Sequence, residues 1–290
     1  MKTKLLSSGL SLIFAGLLCA CSNETDSLSE QSATNENQEI FEQTIKFAGN
    51  TYHVSCMMQN DSLIYLDEDF SSLYRNEISK IPELTTFVYK DETGNDIIEY
   101  YASEKELMTQ KKISYYDAKA IAANEQSRAE TTLEPKAGRA ILYDDTGFKD
   151  RTVILNADYD QYPIINNLKA YAGFNDKTSA IRVFNFLEPN KSYQPSYAPP
   201  FIPGATNPAM KGSQLRTCLI GYEDSDLKGK KLFCVATYSS GQDLNRPETA
   251  SHQDYKLKNI GWNDKISSCI FRIITVENIS NGDITPHDPV

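Results

Sequence analysis

The chain repeats itself. Residues 141–150 read ILYDDTGFKD and residues 220–229 read IGYEDSDLKG, and each run leads into strand text, RTVIL in one copy and KKLFC in the other. Further on, LKAYAGFNDKTSAIRVF from Leu168 is matched by LKNIGWNDKISSCIFRI from Leu257 with one residue of gap. Two matched segments in the same order constrain the fold more than any other feature, because a supersecondary unit with a bare apolar face buries it on its copy. Each copy reads as a strand, a tight acidic hairpin, a second strand, a variable stretch, a Gly-aromatic-Asn-Asp turn and a final apolar strand. Four strands per copy predict about eight strands in an all-β two-sheet Greek-key sandwich whose inner faces cover each other.

Two motifs inside the repeat resemble those of the microbial βγ-crystallins. The first is an aromatic corner, Tyr143 with Phe148 in one copy and Tyr222 with Gly229 in the other; Asp150 stands where the first copy would have its glycine, and Leu227 where the second would have its second aromatic. The other is the Asn/Asp-Asn/Asp-x-x-Ser/Thr-Ser stretch. It is complete in Asn263-Asp264-Lys265-Ile266-Ser267-Ser268, and Asn175-Asp176-Lys177-Thr178-Ser179-Ala180 departs from it only at its last position. The resemblance covers 138–276 and implies two calcium ions held reciprocally. One site would take the Lys177 carbonyl, the Ser179 hydroxyl and Asp264; the other would take the Lys265 carbonyl, the Ser267 hydroxyl and Asp176. Asn175 and Asn263 open the two stretches, and a carbonyl of the acidic hairpin completes each protein share. Calcium takes six to eight hard oxygens and tolerates irregular geometry, so loops of carboxylates, hydroxyls and free carbonyls suit it. The last serine of the motif is expected to support the loop without touching the ion.

Ahead of the repeat, residues 43–135 read as a small α+β domain. Two hairpins are predicted, turning at Ala48-Gly49-Asn50 and at Gly94-Asn95, with a helix between them that stops before Pro82. Ser103 to Glu106 fit a capping box that opens helical text through about Ala129. The overall expectation is an α+β N-terminal domain followed by the sandwich. Residues 187–214, with six prolines, form an insertion between the two motifs, and 277–290 form a C-terminal tail.

The N-terminus reads as an address. Lys2 and Lys4 precede an apolar run, Leu5 to Leu18, too short to span a bilayer comfortably, and Leu18-Cys19-Ala20-Cys21 resembles a bacterial lipobox. Residues 1–20 are then a lipoprotein signal peptide, Cys21 carries the lipid, and the acidic, apolar-poor 21–42 is a flexible tether. This places the protein in the outer membrane, facing the periplasm or the cell surface, with the membrane itself as a partner through the anchor. That compartment permits disulfides. Cys56, Cys218, Cys234 and Cys269 allow three pairings, and Cys218 with Cys234, set symmetrically about the second hairpin, is the candidate pair.

Composition removes several classes. A net charge of −10 offers no basic footprint for nucleic acid. Only three histidines occur, His53, His252 and His287, and no HExxH, GxSxG, GxGxxG or P-loop pattern is present, so no enzyme is expected. His53 and Cys56, three apart in strand text, point to opposite faces. Two other functions fit a non-enzymatic chain of this kind. A proteinase inhibitor would insert 187–214 into its target, and a glycan- or surface-binding module would use Tyr193, Tyr197 and Phe201.

Overall fold

The computed structural model describes residues 40–60, 62–91, 93–116, 118–123, 133–174, 176–194, 209–236 and 252–276. Residues 1–39, on which the expected signal peptide, Cys21 and nearly all of the expected tether fall, Asn175, the centre of the proline-rich insertion and residues 277–290 lie outside the described residues.

The N-terminal text folds largely as its turns dictate. Strands β1 (Ile40–Phe47) and β2 (Asn50–Gln59) form a hairpin whose two turn residues, Ala48 and Gly49, have φ of 49° and 80°. Both central positions of such a turn need positive φ to match the twist of the strands. Strand β3 (Ser62–Tyr65) adds to β2. Helix α1 (Glu68–Asn76) starts at Asp67, whose carboxylate accepts the Phe70 N–H at 2.7 Å. A second hairpin joins β4 (Thr85–Lys90) to β5 (Asp96–Tyr101), its loop closed by Asp91 Oδ1, which accepts from the Thr93 and Asn95 N–H groups at 2.9 Å.

Helix α2 (Glu104–Lys111) opens at Ser103 as predicted but does not continue to Ala129. Lys112 adopts the left-handed conformation at φ 51°, and the chain continues as strands β6 (Ile113–Tyr115) and β7 (Lys119–Ala122). Pairing with distant strands outweighs the local helical preference there.

The repeats follow. The first supplies β8 (Gly138–Tyr143), β9 (Thr152–Ala157), β10 (Gln161–Ile165), the one-turn helix α3 (Leu168–Ala172) and β11 (Ala180–Asn185). A short ladder, β12 (Ser192–Tyr193) with β13 (Met210–Lys211), pairs the two ends of the insertion. The second supplies β14 (Leu215–Asp224), β15 (Lys228–Val235), β16 (His252–Lys256) and β17 (Ser268–Val276).

The protein is mostly β, with mixed sheets. One long sheet runs β3-β2-β1-β5-β4-β15-β14-β17-β10-β7, with β6 also on β17; a four-stranded sheet runs β16-β11-β8-β9. Each repeat therefore places its first, second and fourth strands in one sheet and lends its third to the other. β10 pairs with β17 through Ile164↔Ile270 and Ile165↔Cys269, and β16 pairs with β11 from Ala180↔Lys256 to Phe184↔His252. The N-terminal strands extend the long sheet without a break, since β4 lies parallel to β15 from Thr85↔Lys231 to Val88↔Cys234. All described residues belong to one compact unit, Gln38–Val290.

The side-chain period of two sorts the core. Leu219, Leu232, Cys234, Cys269 and Phe271 of the long sheet share one apolar cluster with Leu142, Val153, Leu155, Ile181 and Val183 of the four-stranded sheet. Cys218, Ile220, Phe233, Val235 and Ile274 point the other way and are covered with Phe87, Tyr89, Leu107 and Ile113. Strands buried on both faces read as continuous apolar runs, as TCLIGY and SCIFRIITV do.

This parity corrects the expected disulfide. Cys218 is in register with Val235, and Cys234 with Leu219, so the two cysteines lie one position out of register and project from opposite faces of the sheet. Cys56, Cys218, Cys234 and Cys269 are all buried free thiols. Burial pushes the Cys56 thiol up to about 12, with the Glu42 carboxylate adding to the shift, and raises Cys218, Cys234 and Cys269 as well.

Candidate metal centre

Each Asn-Asp stretch is set up by the element before it. In the first repeat, α3 begins at Asn167, whose side chain accepts the Ala170 N–H at 3.0 Å, and ends at Gly173 with φ 64°. In the second, one turn of 3-10 helix over Leu257–Ile260 ends at Gly261 with φ 73°. Glycine suits both ends because a left-handed helix cap has no room for a side chain at low cost. An aromatic residue then plugs the core, Phe174 or Trp262, and its N–H returns to the carbonyl of Leu168 or Leu257 at 3.0 and 2.8 Å.

The following residues match position by position. Asp176 and Asp264 have φ of 47° and 54° and are exposed, as are Lys177 and Lys265. Thr178 and Ile266 turn inwards, and Ser179 and Ser267 are buried at the start of the last strand of each repeat. The serine N–H groups bond to the carbonyls of Tyr143 and Tyr222 at 2.8 and 2.9 Å, which sets each loop against the acidic hairpin of its own repeat. The serine carbonyls in turn accept from the opposite repeat, Ser267 from Leu168 N–H at 2.9 Å and Ser179 from Leu257 N–H at 3.0 Å.

The two loops also meet through their side chains. Ser179 Oγ donates to Asp264 Oδ1 at 3.2 Å, and Ser267 Oγ donates to Asp176 Oδ1 at 3.1 Å. Ser179 Oγ also lies 3.2 Å from the Asp144 carbonyl of the first hairpin. Asn263 steadies Asp264 by donating from Nδ2 to Oδ2 at 2.9 Å, while its own Oδ1 is buried without a hydrogen-bond partner. Thr178 Oγ1 is likewise buried and unpartnered. Each side of the pair thus brings a carboxylate of one repeat to a hydroxyl of the other, and the Ser179 side adds the Asp144 carbonyl, oxygens of the hard kind. Among the described residues no group of three or more His, Cys, Asp or Glu side chains converges.

The hairpins beneath the loops differ. Ser268 Oγ donates to the Asp224 carbonyl at 2.6 Å and accepts from Leu227 N–H at 3.1 Å, tying the second hairpin to the last strand. Ala180, at the same place in the first repeat, has no hydroxyl to do this. That hairpin is held by Asp145 Oδ1, which accepts from the Gly147 and Lys149 N–H groups at 2.5 and 3.3 Å, and by Arg151, whose guanidinium pairs with Asp144 at 3.0 Å. Tyr143 and Phe148 pack edge to face at 5.4 Å. Asp150 and Gly229 both have positive φ, 63° and 78°, and so do Phe148 and Leu227, 57° and 59°. The backbone therefore repeats even where the residue types do not.

Other sequence candidates separate. His53 is exposed and Cys56 fully buried on the opposite face of β2. Tyr193 is buried, its ring packed at a tilt against Tyr159 at 5.0 Å and its hydroxyl accepting from Glu188 N–H at 2.9 Å, so it offers no exposed ring; Tyr197 and Phe201 lie outside the described residues.

Sequence reading missed a buried charge cluster in the N-terminal strands. Glu99, 2% exposed, accepts from Tyr89 at 2.9 Å, Lys111 at 2.8 Å and Tyr101, with Lys46 at 3.3 Å. It floors a cleft of about 210 Å³ between the β1–β2 turn and α2. Burial alone would raise its carboxyl, but the Lys111 charge and the hydrogen bonds from Lys111 and Tyr101, helped by Lys46, hold it below the usual range. No sequence motif marks it, because its members come from four separate elements.

No family model matches the chain, and no curated protein or solved structure matches it.

Proposed function

We propose that this is a non-enzymatic, lipid-anchored envelope protein whose two repeats form a Greek-key sandwich of the βγ-crystallin type, stabilised by two calcium ions. One observation carries the reading: the reciprocal Ser179–Asp264 and Ser267–Asp176 contacts, which bring together across the two repeats the side chains the motif pairs. The exchange of third strands between sheets supports the same architecture. The lipobox ending at Cys21 supports the anchor and the outer-membrane location, periplasmic or surface-facing.

One ion would be held by Ser179, Asp264 and the carbonyls of Lys177 and Asp144. The other would be held by Ser267, Asp176, the Lys265 carbonyl and a carbonyl of the second hairpin. Bound calcium supplies the positive charge that lets oxygens from the two repeats converge without repulsion. The chain's own part is to present them: positive φ at Asp176 and Asp264 turns each carboxylate towards the serine of the other repeat. Binding to the folded state alone stabilises it by RT ln(1 + [Ca]/Kd), about 2.7 kcal/mol at a hundredfold excess over Kd.

Calorimetric titration with calcium after chelation, beside melting curves, tests the reading. About two ions should bind and raise Tm, and the double variant Asp176→Ala, Asp264→Ala should lose both effects. A chain that neither binds calcium nor shifts its Tm leaves the repeat as scaffold alone.

A further inference from the structure

The cleft over Glu99 has the opposite electrostatic character to the ion-site loops. The β1–β2 turn forms one wall, helix α2 the other, and the end of β5 the floor. Lys46 is in register with Glu99 across the parallel β1–β5 pair and with Thr51 across the β1–β2 hairpin, so these three side chains stand on one face of the sheet. Lys111 reaches the same point from the last turn of α2. Both ammonium groups meet a single oxygen, Glu99 Oε1, at 3.3 and 2.8 Å, and the Tyr89 hydroxyl donates to it at 2.9 Å. Side-chain exposure falls from 32% at Lys46 through 13% at Lys111 to 3% at Glu99, so a molecule entering the cleft meets ammonium before carboxylate.

The charges of the floor do not cancel. Among the described residues, two ammonium groups converge there on one carboxylate, an excess of one positive charge. Glu106 also lines the cleft, but its oxygens are engaged by the start of its own helix, Oε2 by the Ala102 N–H at 2.7 Å and Oε1 by the Gln110 amide at 2.8 Å. Glu99 itself senses the sign of the field: burial pushes its carboxyl up, yet Lys111, Tyr101 and Lys46 together hold it below the ordinary range. A buried ion cluster adds little net stability over an apolar core of the same shape, whereas a shifted carboxyl beside charge partners in a cleft is the mark of a binding site. The volume of about 210 Å³ lies below the roughly 300–1,000 Å³ of sites for drug-sized molecules, which limits the occupant to a small one. The rest of the lining is polar, with the Thr51 hydroxyl and the Asn50 and Gln110 amides at the rim.

We propose that this cleft binds a small oxyanion, a carboxylate or phosphate carried on a hydroxylated molecule no larger than a single sugar. Lys46 and Lys111 hold the anion, and Thr51, Asn50 and Gln110 take its hydroxyls. The ligand brings the floor to neutrality. The site stands apart from the calcium reading, because β1, β2, β5 and α2 carry no residue of either Asn-Asp loop.

The test titrates the full chain by calorimetry, in the presence of chelator and at constant ionic strength, with sodium glucuronate, glucose 6-phosphate and glucose in turn. One or both anions should bind with a stoichiometry of one, and glucose, a similar ring without the charge, should not. Binding of glucuronate alone assigns the anion to carboxylates, and binding of glucose 6-phosphate alone assigns it to phosphates. Lys46→Gln should weaken binding about tenfold or more. Thr51→Phe, which fills the cleft beside Lys46 and leaves the charges in place, should block binding with Tm unchanged, and it carries the test should Lys46→Gln fail to fold. The proposal is overturned if neither anion binds, if glucose binds as tightly as the anions, or if anion binding survives both substitutions.

Discussion

At the scale of single residues, the candidate loops and the buried Glu99 cluster lie in different parts of the chain. The oxygens of the candidate site come from Asp176, Ser179, Asp264 and Ser267, whose hydroxyl-carboxylate contacts run between repeats. Without calcium, Ser179→Ala is expected to cost about 1 kcal/mol, the worth of an ordinary hydrogen bond; with saturating calcium the loss should grow, which paired melts with calcium and with chelator would measure. Glu99 behaves otherwise. Its carboxyl is held below its ordinary value, so the unfolded chain binds the proton more readily than the folded one. The stability it confers is complete above the ordinary glutamate pKa of 4.5 and is lost as pH falls through the lower folded value. Glu99→Gln leaves Lys46 and Lys111 facing an uncharged partner and should cost about 3 kcal/mol at neutral pH, with a flatter acid limb in denaturant melts between pH 5 and about pH 3. An unchanged acid limb would assign the acid response to other carboxylates.

At the scale of elements, the hairpins and strand parity decide most of what was legible and what was not. Turn chemistry read well: Ala48-Gly49 and the Asp91 loop stand where their residue types put them, because a positive φ or a self-capping carboxylate is a local property. The stop at Lys112 did not read, because β6 and β7 exist only by pairing with β17 and β10. Asp150 carries a left-handed φ that its counterpart Gly229 adopts without a side chain. Asp150→Gly should therefore stabilise the first hairpin by about 0.5–1 kcal/mol in thermal or denaturant unfolding, relief of strain outweighing the extra chain entropy. The cysteines make the complementary point. Symmetry about the hairpin drew Cys218 and Cys234 together, yet a one-position offset in register sends them to opposite faces. Unfolding of the purified chain should be indifferent to reductant, and all four buried thiols should react with a thiol reagent only after denaturation.

At the scale of the whole molecule, the long sheet joins what the text divides. β4 lies on β15, so the N-terminal strands and the second repeat share backbone hydrogen bonds and two apolar clusters. Calorimetry should record one cooperative transition for the described unit, with its van't Hoff and calorimetric enthalpies in agreement; two separate transitions would mean that β4 and β15 part before either core melts. The duplication, the strand content of each copy and the residues of both candidate loops were present in the text, because repetition, alternation and turn chemistry act over a few neighbouring residues. The expected partners, Ser179 with Asp264 and Ser267 with Asp176, came from a family resemblance and not from the spacing itself. The parallel docking of β4, the Glu99 cluster and the parity of the thiols belong to tertiary structure alone. Each joins residues far apart in the chain, and register across a sheet, which local preference does not specify, decides which of them meet.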